Sequence, residues 1–443
     1  MAGTRLAGHA TRSEQEREKM VGASQVLLPL IVGLSIALML IRPKGVPEVY
    51  WIGGGAVLLI ALRLVPLKLA GTAVAEGLDV YLFLIGMMLL SELAREQGVF
   101  DWMSSLAVRG SNGSCIRLFT LVYGIGTLVT IFMSNDATAV VLTPAILTAV
   151  RKAKVQPLPY LFACALIANA ASFVLPISNP ANLVVFRAGM PPLGQWLLSF
   201  ALPSILSIAT TYLVMRAVFR KELRASIDEQ VEPSDLSANG KLVLAGLALM
   251  IAVLLTASAL NKDLGLPTCL AALAITAVVS IKARSNPWPL AKEISWGTLA
   301  LVAGLFIMVD AMESIGALRL TSEALKWAQG QAPAVGALLT SVVVGVGNNV
   351  VNNLPLGLIA GATVKAAHVK GLLANAVLIG VDLGPNLSVT GSLATILWLI
   401  ALRREKLNIS FWDFLKVGAL AMPAALLASM GGAILMNMLL KTT

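Results

Sequence analysis

SVVVGVGNNVVNNLPLGLIAGATV (341–364) is an apolar run with a polar knot at its centre, NNVVNN at 348–353. The surrounding apolar stretch, about 334–365, is too long for one crossing of a hydrocarbon core about 30 Å thick, which takes roughly 20 residues. A second stretch, about 116–150, repeats the arrangement with SND at 134–136 as its break. Each is expected to be a re-entrant helical hairpin with its polar tip at membrane depth. Two ordinary spans joined by a short loop are the alternative. Irregular backbone at that depth survives only where protein or a wet cavity satisfies it.

The rest of the chain agrees with a membrane setting. Its 443 residues are 57% hydrophobic and 13% charged, with mean hydropathy +0.84. Soluble domains carry about a quarter charged residues. Further spans are expected at about 22–41, 49–68, 79–95, 158–189, 194–219, 241–261, 264–282, 295–312, 371–402 and 412–439. This is an all-α polytopic membrane protein with about ten spans plus two hairpins. The net charge of +10 lies in short loops between spans, where it orients a membrane protein and does not imply nucleic acid. Cys115, Cys164 and Cys269 form no CxxC pair, so neither a disulfide framework nor a metal site is expected. Residues 1–20 read as a polar tail ahead of a retained first helix.

Two related halves are visible. Gly86 and Gly98 recur as Gly304 and Gly316, and at the same offset Glu92 falls on Asp310 and Asn135 on Asn353. Further along, ALIANAASFVLPISNPANL (165–183) parallels VLIGVDLGPNLSVTGSLAT (377–395). The organisation is therefore a first transmembrane repeat at 21–219, a polar cytoplasmic linker at 220–240 and a second repeat at 241–443. Five crossings and one hairpin per half make the repeats inverted. With the N-terminus outside, about 20 basic residues fall inside and about 13 outside, the sense positive-inside bias prefers. Paired broken helices in a duplicated chain point to a secondary transporter with a midplane site.

The polar breaks supply the candidate site. Ser134, Asn135, Ser178, Asn179, Asn182, Asn352, Asn353, Thr390, Gly391 and Ser392 are the expected substrate-binding residues. Broken helices expose backbone N–H and C=O groups, and Asn, Ser and Thr add neutral donors and acceptors. No Arg, Lys or Cys lies within these motifs, so neither a bidentate anion clamp nor a thiolate cage is in evidence. Such walls suit a neutral hydroxylated solute or a dehydrated cation, and backbone dipoles leave an anion open. Asp136 and Asp382 stand beside the breaks and are the proton-coupling candidates, since an intramembrane carboxylate is costly to keep. For Asp136 the alternative is an N-cap of the hairpin's second helix. Glu92, Asp310 and Glu313 read as structural, and His368, between Lys365 and Lys370, as a solvated loop residue.

At these segments the chain resembles the ArsB-type arsenite permeases of the ion transporter superfamily. The match is closest in SNDATAVVLTPAIL (134–147) and DLGPNLSVTGSLATILWL (382–399). It extends through NNLPLGLIAGA (352–362), SNPANLV (178–184), IRPKG (41–45) and LNISFWDFLKVG (407–418), nearly the whole chain. The resemblance implies export of arsenite and antimonite, as neutral trihydroxides, across the bacterial inner membrane in exchange for protons. It also implies a scaffold and a mobile transport domain holding both hairpins and both broken helices. Relatives work alone or with a soluble ATPase. No GxxxxGK[ST] loop is present here, so ATP use requires that partner. Three positions depart from the family pattern. Asn386 stands where Lys is common, Asn169 where Asp is frequent, and Thr390 where an apolar residue is usual. Losing the Asp shifts the coupling role onto Asp136 and Asp382, and the cargo can differ within the hydroxylated metalloid acids, silicic acid included.

The same breaks also fit a sodium/proton antiporter or a sodium-coupled carboxylate carrier. A membrane-embedded aspartyl hydrolase using Asp136 and Asp382 would leave the four polar breaks without a role. The expectation is a transporter, not an enzyme, with no cofactor.

Overall fold

A computed structural model describes residues 26–187, 189–227 and 235–442. The expected tail at 1–20 and the middle of the linker, 228–234, lie outside the described residues. Regular structure among the described residues is helical, apart from one isolated bridge between Ser114 and Ser226. That is the economical solution in lipid, where a helix satisfies its own backbone.

Among the described residues seven helices are long and apolar enough to cross a membrane, or eight if the bent pair Leu67–Glu76 and Leu78–Glu96 is one span, fewer than the ten expected spans. The difference has a physical origin. The first two expected spans are the shorter helices Val26–Ile41 and Glu48–Ala61, that at 79–95 is Leu78–Glu96, which qualifies only together with Leu67–Glu76 across a 46° bend, and those at 158–189 and 371–402 are interrupted. The seven include the first arm of each hairpin, Cys115–Phe132 and Pro333–Val351.

Both long apolar stretches fold back on themselves. In the first, Thr130 Oγ1 lies 2.8 Å from Thr138 Oγ1, and Gly126 faces Thr138 and Leu142, so the arms run antiparallel about residue 134. The second arm begins with a π-helical stretch, Ala137–Leu142, before Thr143–Lys152. In the other hairpin Gly347 faces Leu356 across a turn at Asn352, and the second arm is Asn353–Ala367. Ser134, Asn135, Asn352 and Asn353 at the two tips are all buried. A solvent loop between ordinary spans would have left them exposed.

The chain forms two compact units, Met1–Gly77 with Trp296–Leu320, and Leu78–Ser295 with Thr321–Thr443. Each unit takes segments from both sequence halves. In the smaller, Trp296–Ser314 packs on Glu48–Ala61, and a Cβ on Gly304 would meet Ile52 Cγ2 at 2.9 Å. In the larger, Leu78–Glu96 packs on Gly265–Ala283, and a Cβ on Gly86 would meet the Thr268 carbonyl oxygen at 2.8 Å. Gly86 and Gly304 are the glycines paired by the repeat, and each lets two helices approach closely.

Within the larger unit the duplication is equally plain. One broken helix runs as Leu158–Ala170, a short turn at Pro176–Ser178, then Pro180–Val185. The other runs as Leu372–Leu383, two short turns, then Leu393–Arg404. Asn169 meets Asn386 while Asn179 meets Asp382, so the two segments cross antiparallel, as inverted copies do. Each post-break helix packs on the other half's hairpin: Pro180–Val185 on Asn353–Ala367, and Leu393–Arg404 on the second arm of the first hairpin. The last helices of the halves, Leu193–Val218 and Phe411–Thr442, lie together, with Ser429 Oγ donating to the Pro203 carbonyl at 3.0 Å.

Candidate functional site

Unwinding a helix inside protein frees carbonyls that need donors. In the first break the donors come from three directions. Asn182 Nδ2 reaches the carbonyls of Ser172 (2.9 Å), Leu175 (3.2 Å) and Pro176 (3.3 Å). Trp196 Nε1 donates to Phe173 at 3.1 Å, and Ser207 Oγ to Ala170 at 2.9 Å. Ser178 Oγ donates to Ile131 of the first hairpin at 3.0 Å, tying that tip to the break. Asn179 Oδ1 then caps the post-break helix by accepting from Ala181 N.

The second break is served by the NNVVNN segment. Asn348 Nδ2 donates to the carbonyls of Gly380 and Val381, both at 2.8 Å, and Asn349 Nδ2 to that of Gly384 at 3.1 Å. Asn352 Nδ2 reaches Thr390 O at 3.2 Å, and Thr390 Oγ1 donates to Asn349 O at 3.0 Å. Ser388 Oγ donates to Asn349 Oδ1 at 2.7 Å, and Ser392 Oγ caps Leu393–Arg404 by accepting from Thr395 N. Gly391 sits where a Cβ would lie 2.5 Å from Pro385 Cα, so a side chain has no room there. Asn353 is buried as the first residue of its arm.

Two contacts join the breaks to each other. Asn179 Nδ2 donates to Asp382 Oδ1 at 2.7 Å, and Asn169 Nδ2 to Asn386 Oδ1 at 2.9 Å. Asn386 Nδ2 continues to Leu166 O at 3.0 Å. All four side chains are buried, and Asp382 is fully so.

Five side-chain oxygens at the breaks and hairpin tips remain unsatisfied, and one buried donor, Trp398 Nε1 on Leu393–Arg404, does too. The buried oxygens Asn135 Oδ1, Asn169 Oδ1, Asn182 Oδ1, Asn348 Oδ1 and Asp382 Oδ2 have no hydrogen-bond partner. Every one is an acceptor. Buried acceptors without donors are uncommon and call for a water, an ion, a ligand or a proton.

Asp136 differs from Asp382. It is half-buried at the start of the π-helical stretch, has helical φ/ψ and caps nothing with its side chain, which removes the N-cap alternative. The strain at that tip falls on Ser134, with φ 148°, whose Oγ accepts from Ala137 N. Glu92 pairs with Arg95 on its own helix, as a structural residue would.

Residues of this network outside the expected binding set include Asn169, Ser172, Trp196, Ser207, Asn348, Asn349, Asn386 and Ser388. Doubled Asn in NNVVNN was the available signal for two of them. For Asn169 and Asn386 the only signal was their departure from the family pattern, and nothing in either position's neighbours says that they touch.

The family model described as citrate transporter, CitMHS, matches residues 24–381. An arsenical pump membrane protein of Yersinia enterocolitica is 27% identical over 350 residues, 75% of this chain and 81% of its own length. One from Escherichia coli K12 is 25% identical over 412 residues, 89% of this chain and 94% of that protein. An uncharacterized transporter of Mycobacterium tuberculosis is 25% identical over 359 residues, 77% and 82% of the respective chains. Among solved structures, the YdaH transporter of Alcanivorax borkumensis, described as having an unusual topology, aligns with TM-score 0.56 and 15% identity. That alignment covers 86% of this chain and 89% of the other, and it establishes likeness of fold.

Proposed function

This chain belongs to the citrate transporter (CitMHS) family of multi-pass membrane transporters, and from that premise we propose that it exports arsenite and antimonite as neutral hydroxides in exchange for protons. The observation that carries the reading is the set of unpartnered buried oxygens at the breaks. A trihydroxide offers O–H donors to such acceptors, whereas a carboxylate or oxyanion offers further acceptors and would meet them unfavourably. The names of the Yersinia and Escherichia relatives support the same cargo, and bacterial relatives support an inner-membrane location.

In this reading the donors of Asn182, Asn348, Asn349 and Asn352 hold the breaks open, and that of Asn179 holds Asp382. The unpartnered oxygens of Asn182 and Asn348, with Asn135, Asn353, Thr390 and Ser392, face the cargo. Asp382 carries the coupling proton, with Asp136 as a second carrier at the hairpin tip. Protonating Asp382 changes Oδ2 from an acceptor to a donor, which changes the affinity for a hydroxylated solute. A ligand biases the inward–outward equilibrium only through such a difference.

The test uses everted vesicles with an imposed proton gradient. Arsenite should accumulate with the native chain and fail to do so with Asp382→Asn. Full gradient-driven uptake by both Asp382→Asn and Asp136→Asn would overturn the coupling scheme. A sodium-coupled reading has the same observation in its favour, since bare oxygens also ligate a dehydrated cation. Uptake that follows a sodium gradient and ignores the proton gradient would select it.

A further inference from the structure

Two seams of the larger unit are counterparts under the duplication, and they end differently. At the first, between the second arm of the first hairpin and Leu393–Arg404, Arg151 Nη1 donates to Glu405 Oε2 at 2.7 Å. Arg151 Nη2 donates to the Glu405 carbonyl at 2.8 Å. The protein closes this seam with its own carboxylate.

The second seam lies between Asn353–Ala367 and Pro180–Val185. It is tight at Gly361, where a Cβ would come within 2.8 Å of the carbonyl oxygens of Val184 and Val185. Beyond Gly361 it opens into a cavity of about 560 Å³ lined by Lys365, His368 and Lys370, with Asn375 and the apolar walls Phe186 and Val364. No Asp or Glu lines this cavity. Among the described residues, neither lysine nor His368 is in an ion pair. Where one seam has its Glu405, the other has basic side chains and space.

We propose that this cavity binds the phosphate headgroup of an anionic phospholipid. Two ammonium groups and an imidazole can give a phosphate charge-assisted hydrogen bonds that no protein carboxylate in the lining competes for. The site lies at the C-terminal end of an apolar helix, where headgroups are found, and its apolar walls suit the glycerol and upper acyl chain of a lipid. Gln195 and Ser199 of Leu193–Val218 also line the cavity, so a bound headgroup bridges the second hairpin to that helix. The lipid supplies the anion that Glu405 supplies at the other seam.

The experiment is thermal unfolding of the full chain in phosphatidylcholine nanodiscs with and without phosphatidylglycerol. Phosphatidylglycerol should raise the midpoint of the native chain by several degrees. Lys365→Gln/Lys370→Gln should lose most of that shift, Lys365→Arg/Lys370→Arg should keep it, and Arg403→Gln/Arg404→Gln should keep it. An equal shift in the glutamine pair and the native chain would overturn the proposal. So would an equal shift from inorganic phosphate or glycerol phosphate added to phosphatidylcholine discs, which would assign the cavity to a free anion. Should the glutamine pair fail to fold, native mass spectrometry of the arginine pair and of His368→Gln/Asn375→Leu decides. Retained phosphatidylglycerol on the first and loss from the second supports the site, and retention on both removes it.

Discussion

Asn179 and Asp382, 203 positions apart, meet at 2.7 Å and join the two broken helices. Asn179 acts twice, since its Oδ1 caps the post-break helix while its Nδ2 holds the carboxyl. The carboxyl is thereby fixed through one oxygen, while Oδ2 has no hydrogen-bond partner of good geometry and the Ser172 hydroxyl, committed to the Asn169 carbonyl, stands near the carboxyl.

Asp382→Asn should therefore fold. Its amide oxygen can still accept from Asn179, and a neutral side chain removes a buried charge that is expensive to keep in a membrane. Gradient-driven export should fall to background while the unfolding midpoint stays level or rises. A variant that unfolds would mean the carboxyl is structural.

Asn348→Leu should be harsher on stability than on any single cargo contact. It abandons the carbonyls of Gly380 and Val381, and each buried unsatisfied group costs about 1–3 kcal/mol. A markedly lowered midpoint is expected. A level midpoint with altered cargo affinity would make Asn348 a binding residue alone.

Gly86→Val and Gly304→Val test the duplication. Overpacking costs about 1–3 kcal/mol, and both should destabilise. Gly86→Val should be the worse, because it meets the Thr268 backbone whereas Gly304→Val first meets the Ile52 methyl, which can turn. Gly54→Ala is the control, with nothing within 4 Å of the added carbon.

Arg151→Gln should leave stability almost unchanged, because exposed ion pairs are worth about 1 kcal/mol or less. Its effect should instead appear in the rate of arsenite exchange, since the pair ties the first hairpin to a post-break helix of the other half. Unaltered exchange at unaltered stability would show that the seam opens and closes without it.

Much of this was legible in the chain itself. Apolar runs longer than a bilayer needs, each with a polar knot, located the hairpins, because lipid admits no unpaired backbone and the knots had to be placed where protein could cover them. The constant interval between Gly86 and Gly98 and between Gly304 and Gly316 revealed the duplication. Asp382 stood out as a carboxylate inside an apolar span.

Tertiary structure decided what those residues do. The Asn-rich breaks looked like a donor-and-acceptor wall for a cargo, yet most of their N–H donors are bound to carbonyls freed by unwinding. Contacts between segments 6 to 38 positions apart commit the amides of Asn182, Asn348, Asn349 and Asn352, and contacts over more than 200 positions commit those of Asn179, Asn169 and Asn386. The Asn169–Asn386 pair, the crossing of the broken helices and the unequal ends of the two seams belong to the same class. Local sequence sets where a helix must break, while the folding of each half brings its own donors to the freed carbonyls and only the meeting of the two halves joins one break to the other.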